Sequence, residues 1–586
     1  MNFILKYSIV CFAFFAVIAT ASAQNTIPKN VLFIAVDDLK PILGCYGDKI
    51  IKTPNIDNLA AKGTLFMQNY CQQAICGPTR ASLMTGKRPD YTKVWDLETK
   101  MRDINPNILT IPQYFKEKGY FTSGIGKIYD PRCVDSRALA DEPSWSVRYN
   151  QVSNSYYHNG KPPVFYYYQS NEARQLPSTA VYKPSVECVD LPDNAYGDGA
   201  QTNRVLELLT DLSKNTQPFF FAVGFARPHL PFVAPKKYWD MYNREEMPLA
   251  PFRQHSLNGP KLAYTKSGEL TDYTDIPPTL STKVSVNQNI VVSDDKQKEL
   301  MHGYYASVSY IDAQIGRILN KLDALGMREN TIIVLWGDHG FHLGDHDLWC
   351  KHSNFENATR APLIISSPNF VSGKTSSPTE FVDVFPTLCD LAGLPVPDKL
   401  DGKSLTPMML NPLAIVKDYS VSQYPRYQDK MGYSIRTKKY RMTWWMMDGF
   451  RSNHPFSSSM IVAKELYDYE KDPLETNNVA SDNSYVQIAT DMDNKMLDFF
   501  NVQRNTILGV GDVQEIKNKV EAYPNPSKEG VFSLSKTCNW KVYSVLGALL
   551  MSGNSNQVDL SEQPEGTYLL KISDLENFQT IKLIKK

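Results

Sequence analysis

Cys76-Gly77-Pro78-Thr79-Arg80 sets a thiol four residues before a guanidinium, and the apolar helical run Ala81-Ser82-Leu83-Met84-Thr85-Gly86-Lys87 follows directly. Proline suits a first helical turn, where its missing N–H would have had no partner. The cysteine then stands beside a helix N-terminus, whose unpaired N–H groups favour an anion. Arg80, one turn on, can fork two N–H donors onto an oxyanion. For so short a pattern a buried structural thiol is the simpler reading, because free cysteine is among the most buried residue types. Residues elsewhere in the chain decide between the two.

Asp37-Asp38 follow the apolar run at 31–36, and Asp338-His339-Gly340 follow a second run at 331–336. In open α/β sheets ligands bind beyond the carboxyl ends of strands. Adjacent carboxylates in that place repel one another unless a cation joins them. One such pair is commonly a loop or helix cap. Repeated placement points instead to three carboxylates and His339 around a hard divalent cation, Ca²⁺ or Mg²⁺ rather than zinc, since most donors are oxygen. Basic groups recur likewise: Lys127 after the strand-like 121–125, His229 in Arg227-Pro228-His229 after 219–223, and Lys351 in a loop past Asp338. A single loop lysine is ordinarily just solvated. Four cationic or donor groups around a helix N-terminus describe a site for a tetrahedral oxyanion, sulfate or phosphate.

The elements that must position these residues alternate from Lys29 to about Ile365 between apolar strands and amphipathic helices. This pattern implies an α/β domain with a mostly parallel sheet covered on both faces. Val308, Ile311, Ile315, Ile318, Leu322 and Leu325 recur at helical spacing and Gly326 closes the helix. Two stretches of weak periodicity, 143–192 and about 248–282, read as long insertions over a sheet edge, and loops of that length are often functional. Short strands over 419–469 suggest a small antiparallel subdomain, followed by a polar helical tail to about Ile507. After Val520 the texture changes to Tyr523-Pro524-Asn525-Pro526, Gly530 and alternating strands at 531–535 and 568–572, a separate small β-sandwich.

The 586 residues exceed one ordinary domain. Lys plus Arg and Asp plus Glu both number 62, a zero net charge that gives no reason to expect nucleic acid or a membrane surface as partner. Lys6, an apolar stretch over 7–19 and Ala21-Ser22-Ala23 describe a secretory signal peptide over 1–23, too short in its apolar part for an anchor. Without Cys11, and with Cys76 chemically converted, Cys45, Cys71, Cys133, Cys188, Cys350, Cys389 and Cys538 remain. Their number is odd, so at least one thiol stays unpaired within the chain. The absence of C-x-x-C spacing speaks against cysteine-bound zinc, and no disulfide pairing follows.

Taken together, "NVLFIAVDDLKP", "CGPTRASLMTGKRPD", "YFKEKGYFTSGIGK", "PFFFAVGFARPHLPF", "YYASVSYIDAQIGR" and "WGDHGFHLGDHDLWCKHSNFENATRAPLI" resemble a type I sulfatase. "SQYPR…MGYSIRTKKYR" and "ELYDYEKDP" extend the resemblance over about 28–480, most like the iduronate-2-sulfatase branch. The Y-P-N-P start, "VYSVLG", "EGTYLLKI" and a basic end resemble the C-terminal sorting domain of bacterial type IX secretion, with an adhesive or carbohydrate-binding sandwich as the alternative. The resemblance implies an alkaline-phosphatase-like sandwich: a catalytic α/β domain over 24–415, a C-terminal antiparallel subdomain over 416–510 and a sorting domain over 520–586.

For the site, the resemblance implies that a formylglycine-generating enzyme oxidises Cys76 to formylglycine, the nucleophile in hydrated form. It implies Ca²⁺ held by Asp37, Asp38, Asp338, His339 and the modified Cys76. Arg80 would stabilise the formylglycine, and Lys127, His229 and Lys351 would hold the sulfate or protonate the leaving alcohol. Asp130, His342, His346 and Arg426 are expected on the substrate. Met84 and Lys87 stand where the family usually has Leu and Arg, and Asp130 stands where the branch has a histidine that supports the nucleophile. The expected activity is sulfate-ester hydrolysis on a sulfated uronic-acid-containing polysaccharide or its oligosaccharides, ulvan-type favoured. Alternatives are an iduronate-2-sulfatase on heparan or dermatan sulfate, a phosphoester or phosphonate hydrolase, and an inactive glycan-binding surface protein. Export through the periplasm to the medium or cell surface is implied.

Overall fold

Seven strands make the central sheet of the computed structural model: β1 (Asn30–Val36), β2 (Thr64–Phe66), β3 (Phe121–Gly126), β4 (Phe219–Phe225), β5 (Thr331–Gly337), β6 (Leu363–Ser366) and β7 (Gly373–Thr375). Their order is β7-β2-β6-β5-β1-β4-β3, and β6 alone runs antiparallel to its neighbours. A mostly parallel sheet is thus present as expected. Its inner strands are apolar through their centres, as in Val31–Val36 and Ile332–Trp336, because both faces are covered. On β1, Leu32, Ile34 and Val36 face one core, Val31, Phe33 and Ala35 the other. The first core is closed by helix α2 (Asp294–Ala324), through Leu300, Tyr304, Ile315 and Leu322; the second contains Leu83 and Met84 of helix α1 (Cys76–Thr85). Helix α2 starts well before the periodic run from Val308: Ser293 caps it by accepting from the Lys296 N–H, and Asp294 and Asp295 suit its positive end.

The structure describes residues 29–135, 140–163, 167–170, 183–276, 292–368, 370, 372–427, 429–447, 456–504, 520, 522–544, 548–574 and 577–586. The signal peptide expected over 1–23 lies outside them, as do 164–166, 171–182 and 277–282 of the two expected insertions. Much of what is described of the insertions is short 3-10 turns such as Leu270–Asp272, and strand Val186–Val189 pairs with Phe232–Pro235. Among the described residues no helix is long and apolar enough to cross a membrane.

The chain divides into two compact units, Met1–Leu508 and Gly509–Lys586. In the second, Val531–Ser544 pairs with Ala522–Tyr523, Leu549–Asp559 and Gly566–Asp574, and the last pairs with Asn577–Lys585, all antiparallel. Phe532, Trp540, Val558, Leu570 and Leu583 lie in its own core.

Within the first unit, Tyr419–Arg426, Lys430–Thr437, Tyr440–Met447 and Ile461–Asp468 form a sequential antiparallel sheet. A buried ion cluster ties it to the α/β core. Glu356 accepts from Arg436 Nε at 3.0 Å, Arg441 Nη2 at 2.6 Å and the Tyr70 hydroxyl at 3.0 Å, while Glu475 takes Arg441 Nε at 3.1 Å. Burial alone would raise the Glu356 pKa; Arg436 and Arg441 outweigh it and bring it down to about 2. A carboxylate depressed in the folded state stabilises above its unfolded pKa, and that contribution fades as pH falls toward the folded value. Glu356→Gln is expected to cost about 3–5 kcal/mol at pH 7 by leaving two buried guanidinium groups underpaired. In urea unfolding, the gap from wild type should narrow from about pH 5 to about pH 2; a gap that widens toward acid would refute this role.

Candidate active site

Register in the sheet decides which residues meet. Val36 lies opposite both Gly337 and Phe225, and Gly126 opposite Gly224. Residues just beyond those positions therefore gather at one edge: Asp338 and His339 after β5, Asp37 and Asp38 after β1, His229 past β4 and Lys127 after β3. Glycine is required where the last two strands end. A Cβ on Gly126 would stand 2.1 Å from the Gly224 carbonyl oxygen, and one on Gly224 would stand 2.2 Å from that of Lys127. The close approach lets the Lys127 N–H donate to Gly224 at 2.9 Å.

Helix α1 brings its first residue, Cys76, against this edge, so that Cys76 Sγ lies 3.5 Å from both Asp37 Oδ1 and His339 Nε2. Arg80, fully buried, donates from Nη2 to Asp37 Oδ1 and from Nε to Asp338 Oδ2, each at 3.0 Å. Lys127 Nζ reaches Asp37 Oδ2 at 2.5 Å, and Lys351 Nζ both oxygens of Asp38 at 3.1 Å. Burial would raise the Asp37 carboxyl, yet Lys127 and Arg80 hold it well below the usual range. Burial, aided by the like charges of Asp37 and Asp38, leaves Asp338 raised despite His339 and Arg80. Burial and Asp37 push the Cys76 thiol well above its ordinary value.

His339 tests whether a cation fits. Its Nδ1 is 2.9 Å from the Gly340 carbonyl, which only accepts, so Nδ1 carries the proton. In neutral His339 the Nε2 lone pair would then face Asp38 Oδ1 at 3.4 Å and Asp338 Oδ2 at 3.7 Å. Lone pairs so aimed suit a shared cation, and the mainly oxygen donor set suits a hard one.

His229 has acceptors on both ring nitrogens: the Leu230 carbonyl 2.7 Å from Nδ1 and Glu269 Oε1 2.9 Å from Nε2. Both contacts suit a ring that donates from each nitrogen, and Lys351 Nζ also lies 3.5 Å from Nε2. Burial would lower the His229 pKa, but Asp38, helped by Glu269 against Lys351, raises it. Glu269 also contacts Lys351 Nζ at 2.7 Å. Its involvement had no signal in the sequence, where it is one acid in a polar insertion.

Asp37, Cys76, Lys127, His229, Glu269 and Lys351 line a cavity of about 1960 Å³, with Asp38, Asp338, His339 and Arg80 packed behind. Asp130 lines it too, though its carboxylate takes Arg132 rather than Cys76. Three expected substrate contacts are corrected, since none lines this cavity. His342 is buried between Asp345 and Ser353, and His346 stacks on Phe355 at 4.2 Å with Nε2 3.2 Å from the Glu475 carbonyl oxygen. Arg426 is used by the carbonyls of Leu262 and Ala263. In His342 and Arg426 the polar atoms serve the interior, while His346 Nδ1 is buried without a hydrogen-bond partner among the described residues. The eight cysteines described are all free thiols.

Residues 29–394 match the sulfatase family, 344–501 the C-terminal region of N-sulphoglucosamine sulphohydrolase, and 521–586 the secretion-system C-terminal sorting domain. Iduronate 2-sulfatase of Mus musculus is 34% identical over 546 residues, covering 82% of this chain and 96% of the relative. A sulfatase of Formosa agariphila is 32% identical, covering 78% and 84%. Among solved structures, a protein in complex with its substrate D-glucosamine-2-N,6-O-disulfate superposes with a TM-score of 0.63 at 23% identity, covering 83% of this chain and 99% of that one. Phosphonate monoester hydrolase of Agrobacterium radiobacter superposes at 0.62 and 22%, covering 81% and 96%. The chain belongs to the sulfatase family, is a sulfuric ester hydrolase and carries a type IX sorting domain.

A thiol so buried and so hard to ionise is a poor nucleophile. In chain that retains cysteine at 76, iodoacetamide at pH 8 is expected to alkylate the exposed Cys188 and spare Cys76, read by peptide mass spectrometry. Faster labelling of Cys76 would contradict the protonated-thiol assignment.

Proposed function

We propose that this sulfatase hydrolyses sulfate esters of a uronic-acid-containing polysaccharide or its oligosaccharides, with formylglycine at position 76 and one Ca²⁺ ion. The observation that carries the reading is a cavity floor where the residue-76 side chain, three buried carboxylates, two lysines and the His229 imidazole converge. A thiol held protonated by burial and Asp37 is poorly suited to attack sulfur itself, in keeping with its conversion by a formylglycine-generating enzyme. Once formed, formylglycine supplies a hydrated-aldehyde hydroxyl to attack sulfur and a second hydroxyl through which sulfate is later released, a step no thiol allows.

Asp37, Asp38, Asp338 and His339, with the converted residue 76, would hold the Ca²⁺, which when bound offsets charge on the sulfuryl oxygens. Lys127, on Asp37, and Lys351, on Asp38, both line the cavity and would bind the remaining oxygens. His229 carries the proton that the departing sugar alkoxide needs, and the Leu230 carbonyl and Glu269 fix the ring that delivers it. Arg80 has no free role at the substrate: its donors keep Asp37 and Asp338 in place and bind the carbonyls of Lys127 and Ile128.

The glycan reading draws on relatives named for glycan sulfate chemistry and on the size of the cavity, which exceeds the 300–1,000 Å³ typical of small-molecule sites. An ulvan-type polymer is favoured because Asp130 replaces the branch's histidine. The sorting domain fits passage through the periplasm to the cell surface or medium.

Active protein is expected to show an aldehyde in the residue-76 peptide by mass spectrometry, and Cys76→Ala to abolish turnover with an unchanged melting temperature. Ca²⁺ should raise the melting temperature of chelated enzyme, by about 2.7 kcal/mol of linkage at a hundredfold excess over Kd, and Asp338→Asn should remove that response. His229→Ala should slow sugar sulfates by about 10²–10⁴-fold while affecting 4-nitrophenyl sulfate far less, because a good leaving group needs no acid. Preference for phosphonate or phosphate monoesters in the same panel would overturn the sulfate assignment.

A further inference from the structure

We propose that Arg132, clamped by Asp130, forms an anion subsite on the cavity wall beside Cys76 and binds the carboxylate of a uronic acid in the glycan. The idea rests on the glycan-sulfatase reading above and adds the group that the enzyme recognises beyond the sulfate. Asp130 and Arg132 both line the cavity that contains Cys76. The Asp130 side chain is 1% exposed, that of Arg132 55%. Asp130 Oδ1 accepts from the Arg132 backbone N–H at 3.1 Å and from Nε at 2.9 Å, and Oδ2 accepts from Nη2 at 2.7 Å.

This clamp uses the side edge of the guanidinium and one Nη2 hydrogen. A guanidinium has five N–H donors, so its end edge, with one hydrogen from each Nη, still matches a second carboxylate bidentately. An exposed arginine normally loses rotamer freedom when it binds. Here two guanidinium hydrogen bonds to a buried acid, Nε to Oδ1 and Nη2 to Oδ2, have already removed much of that freedom. The turn Pro131–Cys133 is itself fixed. Cys133 N–H donates to the Asp130 carbonyl at 2.9 Å, and a Cβ on Gly77 would lie 2.4 Å from Cys133 Sγ, so the turn packs on the first turn of α1. Arg132 is thereby held at a set position relative to Cys76, on the wall of the same cavity. Lys127 and Arg148 add positive charge to the same cavity.

The departure at position 130 thus gains a specificity role: histidine there would supply no carboxylate for the clamp. The test pairs Arg132→Ala with sulfated oligosaccharides whose uronate carboxyl has been reduced to a primary alcohol, the sulfates being kept. Wild type should lose about 10- to 100-fold in kcat/KM on carboxyl reduction, mainly through KM, whereas Arg132→Ala should show little further loss. Arg132→Lys, which keeps charge but not the fork, should recover only part of the discrimination. Equal loss in wild type and variant, or coupling of Arg132 to a second sulfate instead of the carboxyl, overturns the proposal. Calorimetric binding of the same two glycans to Cys76→Ala and to Cys76→Ala with Arg132→Ala repeats the comparison without turnover. Failure of the sulfatase reading, no sulfate release by wild type, is therefore distinguishable from failure of the subsite.

Discussion

Three carboxylates buried side by side are the constraint on which the rest of this site depends. Asp37, Asp38 and Asp338 follow adjacent parallel strands and lie within reach of one another, almost without solvent. Isolated, each would cost several kcal/mol to bury as an anion. Arg80, Lys127 and Lys351 supply three positive charges, and they do so in a fixed pattern: Arg80 bridges Asp37 and Asp338, Lys127 takes Asp37 and Lys351 takes Asp38. Lys127 and Lys351, the two suited to bind an oxyanion, are therefore held by the groups suited to bind a cation. Chemistry at the site is built into its electrostatic balance, and substitution of any one partner disturbs the others.

The sheet makes that balance affordable to the fold by placing it on rigid backbone. Asp38 has a left-handed backbone, φ 57°, which turns its N–H onto Asp338 Oδ1 at 3.0 Å, while the Tyr304 hydroxyl of α2 holds its carbonyl at 2.8 Å. Helix α1 does the corresponding work on the other face, with the Thr79 hydroxyl donating to the Asp338 carbonyl at 2.8 Å. Both cores thus contribute a hydrogen bond to the same edge. A site tuned to a few tenths of an ångström is better carried by strand ends than by free loops.

Legibility in the sequence follows from how local each signal is. Asp37, Asp38, Asp338, Cys76 and Lys127 all sit at the end of an apolar strand or the start of a helix, so position along the chain already implied position in the fold. Glu269 lies in a stretch without periodicity, and only the chain's return to the cavity puts it against His229 and Lys351. Arg132 was masked by its neighbour: Asp130 stood out as a departure from the family pattern, while the group it holds had no motif of its own. His342 and His346 misled for the opposite reason. Histidines in a motif-rich loop read as substrate contacts, but buried histidines often turn to interior acceptors, as these do to Asp345 and the Glu475 carbonyl.

Reaction and recognition are consequently separable in this molecule. The sheet edge gathers cationic groups suited to a tetrahedral oxyanion, and a phosphonate monoester hydrolase shares the fold, so the scaffold alone does not select the ester. Selection must come from groups outside the shared edge. Two lie on segments that follow it: the Pro131–Cys133 turn after Lys127, and the Leu270–Asp272 turn beside Glu269. The first presents a half-exposed guanidinium, the second a carboxylate that faces the acid. Glu269 is already paired with both His229 and Lys351, so the charge that these two segments offer a bound glycan is the positive edge of Arg132.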